Sequence, residues 1–154
     1  MELSTMNTCT LRGIWRVRYR DPVTGREWPG DEYRNVICQN GKNVLAAWLD
    51  GEAPALGPIY GAVGTGTAAP TSSDVQLQTE LARVALAVSS RSTNVVLLDF
   101  FFTTSEGNGT LTEAGCFLQA GSGANTGQLL SHVAISETKT ASVTMTLEFS
   151  IQVG

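Results

Sequence analysis

Residues Thr103–Gly115 read TTSEGNGTLTEAG. Asn108-Gly109 tolerates positive φ at successive positions, which a tight chain reversal needs. On one side lies Val95–Phe102, VVLLDFFF, and on the other Leu111–Leu118, LTEAGCFL. A turn of this kind between two strand-like runs predicts a hairpin and places the chain in the antiparallel β class.

Working outward, Val143–Val153 is the clearest strand. Val143, Met145, Leu147, Phe149, Ile151 and Val153 alternate with Thr144, Thr146, Glu148, Ser150 and Gln152, giving one buried and one wet face. Ile14–Arg20 alternates in the same way, with Trp15, Val17 and Tyr19 opposite Arg16, Arg18 and Arg20. Asp21-Pro-Val-Thr-Gly25 is a turn, and Arg34–Gln39 is the expected return strand. Lys42–Leu49 is the one convincing helix: Val44, Leu45, Trp48 and Leu49 share a face and Gly51 is a natural stop. Further strands are expected at 59–63, 80–89, 94–103 and 129–135, with a helical turn near 75–77. The count, about seven or eight strands, fits a single antiparallel β-sandwich or jelly-roll-like domain over residues 14–154, preceded by a flexible N-terminal arm over 1–13.

The 154 residues carry a net charge of −4. A sequence-independent nucleic-acid binder is normally basic, because it must neutralise phosphates, so direct nucleic-acid contact is not expected. The charge is uneven. Residues 1–40 hold six arginines against five acids, a net of +1; the remainder holds four cations against nine acids, a net of −5. A basic first segment on an acidic body is expected either to orient copies or partners as they dock or to form an ordinary solvated strand face. No apolar leader and no run of roughly 20 apolar residues is present, so synthesis in a cytosol is expected and no membrane partner is expected. Cys9, Cys38 and Cys116 have no metal-ligand spacing, and Cys38 and Cys116 lie in strand-like runs where a thiol packs as a small hydrophobe.

The residues that carry chemistry are few. His132 is the sole histidine; alone in a strand, it reads as a packed residue, not a base or ligand. Gly61–Thr67, GAVGTGT, lacks the Lys-Ser/Thr ending and the following helix of a phosphate loop, so its glycines read as points of close backbone packing. Glu106 and Glu113 flank the Asn-Gly turn without an aromatic platform; Glu113 is expected to hold backbone amides. Asp99 interrupts an apolar strand, marking a face change, a bulge or a bond to a neighbouring subunit. No catalytic residue, cofactor or metal is expected.

Several of these pieces, in this order, resemble a family of small β-rich structural proteins of tailed bacteriophages. The residues are Tyr60–Asp74 (YGAVGTGTAAPTSSD), Glu80, Arg83, Phe102–Phe117 (FTTSEGNGTLTEAGCF) and Lys139-Thr140 before the last strand. The segment Asn35–Asn43 leading into the helix also resembles this group. Head decoration, tail-tip and fibre-associated proteins share the wording. The resemblance implies a non-enzymatic virion protein, a homo-oligomer (trimers are the expected form), with other virion proteins and copies of itself as partners. The leading expectation is a capsid decoration protein that cements coat subunits. Alternatives are a tail, neck or fibre-associated protein and, from another class, a carbohydrate-binding adhesion module. The candidate partner-binding residues are Arg12, Arg16, Arg18, Arg20, Trp28 and Tyr33.

Overall fold

The computed structural model describes residues 8–154. Its strands are β1 (Leu11–Arg20), β2 (Glu27–Arg34), β3 (Val36–Ile37), β4 (Tyr60–Gly64), β5 (Glu80–Ser92), β6 (Val95–Phe102), β7 (Gly109–Leu118), β8 (Gln128–Lys139) and β9 (Thr144–Val153). One helix, α1 (Gln39–Asp50), follows β3. The strands form one nine-stranded sheet in the order β2-β1-β9-β6-β5-β4-β7-β8-β3, with every pairing antiparallel. The chain is therefore mostly β with a single helix, as its alternation predicts.

The sheet folds on itself into two packed halves. Strand β5 makes the corner: its first part pairs with β4 and its second with β6, with a register shift between Leu86 and Val88. On the opposite side Glu137 of β8 closes the seam to β1 and β2. Its carboxylate accepts from Tyr19 (2.6 Å), Tyr33 (2.9 Å) and the Asp31 backbone N–H (2.9 Å). Burial and this carboxylate push the Tyr33 hydroxyl up to about 12. Edge strand β2 carries Pro29 and three acids, features that discourage pairing with foreign strands.

Between the halves, Trp15 stacks on Phe149 at 4.6 Å and on Phe100 at 6.1 Å, and its indole N–H donates to Ser131 Oγ at 2.9 Å. Val17, Leu98, Phe102, Leu111, Met145 and Leu147 complete this core. A second, smaller core lies on the far side of β4, β7 and β8, where Leu77, Phe117, Leu129, Ala62 and Cys38 are buried. Cys9, Cys38 and Cys116 are all free thiols, the last two buried.

The structure corrects several expectations. Strands β6 and β7 do not form a hairpin, because β5 and β4 lie between them. Thr103–Asn108 instead carries the chain from one half of the sandwich to the other. The positive φ values fall on Gly107 (64°) and Gly109 (137°), not on Asn108. Glu106 accepts from the Thr103 amide and hydroxyl, and Asn108 is held by the Thr104 carbonyl and by Lys139 Nζ at 2.7 Å. The partner of β1 is β2, not Arg34–Gln39; an edge strand tolerates the Pro29 that disguised it. Residues 75–77 form no helical turn. Only Val44 of the expected helix face is buried; Trp48 and Leu49 are 46% and 79% exposed. Of the expected arm, residues 1–7 lie outside the described residues, and Leu11–Gly13 belong to β1.

Candidate functional site

The most concentrated polar chemistry lies beneath the loop of residues 65–79. Glu113 of β7 and His132 of β8 face this loop from the sheet, and Asp74 faces them from the loop. His132 Nδ1 sits 2.7 Å from Asp74 Oδ2, and Nε2 sits 2.9 Å from Glu113 Oε2. Glu113 and His132 are both buried. Glu113 also accepts from the backbone N–H groups of Thr79 (2.7 Å), Gln78 (2.9 Å) and Gly66 (3.0 Å). Burial pushes its carboxyl upward, but the Thr79 and Gln78 amides, the His132 ring and the Gly66 amide overcome that and hold it below its ordinary 4.5. Asp74 behaves alike: burial raises it, while the Thr71 amide and hydroxyl and the His132 ring bring it below 3.8.

Both nitrogens of the ring are thus engaged, one with each carboxylate. A cavity of about 420 Å³ lined by Ser73, Asp74, Gln76, Gln78 and His132 adjoins the trio. In this arrangement the trio is a latch: it fastens the loop to β7 and β8 and supplies the partners that a buried Glu requires. The glycines of Gly61–Thr67 serve the same packing. A Cβ on Gly61 would meet the Phe100 ring, and one on Gly66 would meet Gln78 and Glu113.

A second buried ion pair fastens the loop of residues 119–127. Arg83 Nη2 lies 2.8 Å from Glu80, with both side chains nearly inaccessible. The guanidinium sits over the Phe117 ring at 4.5 Å and donates to the carbonyls of Gly121 and Thr126 at 3.0 Å each. Glu80 accepts from the Asn125 amide at 2.6 Å. Arg is suited to this place because its planar fork serves several acceptors while stacking on a ring.

The predicted site residues divide. Arg16, Arg18 and Arg20 stand on the outer face of β1, each beside an acid of the same sheet: Glu32 (2.9 Å) and Glu148 (3.3 Å) for Arg16, Asp99 (3.3 Å) for Arg18, and Glu27 (4.0 Å) for Arg20. Trp28 packs on Tyr19 at 5.9 Å beneath Arg26, and Tyr33 is tied to Ser136 and Glu137. Asp99 keeps one oxygen buried without a partner; burial raises its carboxyl despite Arg18. Arg12 is different. It lines a basin of about 970 Å³ together with Arg34 and Lys42, and none of the three makes an ion pair among the described residues. The basin floor includes Leu11, Ile14, Ile37 and Val95.

The chain matches no protein-family model, no curated protein and no solved structure. The latch residues Asp74, Glu113 and His132 were not grouped by sequence reasoning, nor were Arg34 and Lys42 joined to Arg12. One signal was present: an acid inside the apolar run of β7 needs buried donors, and a sole histidine is a natural one.

Proposed function

We propose that this chain is a non-enzymatic structural protein of a bacteriophage particle, most simply a capsid decoration protein that cements neighbouring coat subunits. The observation that carries the reading is how the chain spends its charged groups. The buried ones, Glu113, His132, Lys139 and the side chains of Glu80 and Arg83, are spent fastening loops to the sheet, whereas Arg12, Arg34 and Lys42 gather around an open basin on the surface. Such a surface suits docking to a partner more than turning over a small molecule. The phage-protein resemblance of Tyr60–Asp74 and Phe102–Phe117 supports the same reading, and many weak contacts repeated over a lattice would make docking strong.

A tail, neck or fibre position is the second reading, favoured by the same resemblance. The adhesion-module reading has less to stand on, since Trp28 and Tyr33 are engaged within the fold and offer no open aromatic platform. The test is quantitative mass spectrometry and electron microscopy of purified particles carrying this chain. Many copies spread over the head support decoration, and a few copies at the tail or neck move the protein there. Absence from particles overturns the proposal.

A further inference from the structure

Two patches at opposite ends of α1 are complementary to each other. At the first end, Arg12, Arg34 and Lys42 ring the basin, whose floor includes Leu11, Ile14, Ile37 and Val95. At the second, Trp48 and Leu49 stand exposed on the last turn of the helix, followed by the exposed acids Asp50 and Glu52. Neither acid makes a hydrogen bond or ion pair through its side chain among the described residues, in contrast to the engaged Asp74, Glu80, Asp99, Glu106, Glu113, Glu137 and Glu148. One end is thus an apolar hollow bordered by three cations. The other is an apolar knob bordered by two acids. Lys42 and Asp50 lie about 12 Å apart along the helix axis, too far for the two patches to meet within one chain.

We infer that copies of this protein associate head to tail, the Trp48–Glu52 knob of one copy entering the Arg12–Arg34–Lys42 basin of the next. The charges select this geometry. A two-fold contact that set basin against basin would bring six cations together at the expense of several kcal/mol, whereas a head-to-tail contact pairs cations with acids at each joint. Such a contact is heterologous, so it closes into a ring if the rotation between copies allows. Trp48 and Leu49 are the anchors, because buried aromatic and apolar side chains at the centre of an interface carry most of its binding energy. Arg12, Arg34 and Lys42 set orientation and encounter rate. The inference rests on the proposed function only in that copies of the chain associate.

Sedimentation velocity of the purified full-length chain tests it. The wild type is expected to sediment as an oligomer whose dissociation strengthens with added salt. The variant R12E/R34E/K42E and the variant D50K/E52K are each expected to weaken association at least tenfold. The variant combining all five reversals restores the salt-bridge pairing and is expected to regain the wild-type oligomer. Circular dichroism checks folding, and these exposed positions leave the core untouched. W48A/L49A is expected to weaken association without changing its salt dependence. A monomer at every concentration overturns the inference while leaving particle incorporation to be read separately. An oligomer indifferent to both reversals, or one abolished by removing residues 2–7 alone, places the interface elsewhere and also overturns it.

Discussion

His132 shows how much of a fold a single side chain can tie together. Each of its ring nitrogens faces a carboxylate at 2.7–2.9 Å, so it joins the backbone amides of Thr79, Gln78 and Thr71 in lowering the Glu113 and Asp74 carboxyls. The pH dependence has a definite sign. Both carboxyls titrate below their ordinary values in the folded state, so their contribution to stability is complete above about 4.5 and is lost as pH falls through the depressed values. Urea denaturation at pH 7, 5 and 3 is expected to show stability falling across that acid range. His132→Gln is expected to cost on the order of 1–3 kcal/mol at pH 7, since it takes a hydrogen-bond partner from buried Glu113, and to flatten the fall below pH 5. An unchanged acid slope in this variant would sink the latch. The sequence identified His132 as a packed residue. It left its partners hidden, because Asp74 lies 58 positions away and nothing local in either segment announces the other.

At the scale of elements, alternation was legible wherever a strand has one wet face. Strands β1 and β9 show it, and both were read with nearly correct limits. Strand β7 does not: from Glu113 to Leu118 it is buried throughout, with Cys116 and Ala114 facing the main core and Phe117 the smaller one. Its neighbours were therefore assigned from the nearest turn signal, which led to the false hairpin with β6. Its true neighbours are β8 and β4; β4 is short and glycine-bearing, and its close approach to the core explains that composition. Gly61→Ala would drive a methyl into the Phe100 ring and is expected to cost on the order of 1–3 kcal/mol, as overpacking does, read as a lower midpoint in chemical denaturation. A midpoint equal to wild type would mean the ring yields freely. The helix was located well but its exposed face was not, since Trp48 and Leu49 satisfy a helical pattern without packing on this fold. The basin likewise escaped notice because its cations come from β1, the end of β2 and α1.

The whole molecule is organised by pairing between distant parts of the chain. β1 pairs with β9 along its full length, from Leu11 with Val153 to Arg20 with Thr144, and β9 pairs on its other side with β6. Such topology is slow to find, because loop closure must precede any gain from contact. Refolding from denaturant is expected to take from milliseconds to seconds in stopped-flow fluorescence of the tryptophans, Trp15 among them; a microsecond phase carrying the full amplitude would contradict it. Removing residues 144–154 is expected to abolish cooperative unfolding altogether, since it strips β1 and β6 of their shared partner and uncovers Trp15 and Phe100. The same central place of β9 governs how the protein is born. Ribosomes extend chains at roughly 5–20 residues per second, and Thr144 follows Arg20 by 124 positions. On the order of ten seconds separates the emergence of the first strand from that of the strand it needs. Throughout that interval β1 lacks its β9 partner, as does β6 once it has emerged, which makes the nascent chain a natural client of chaperones.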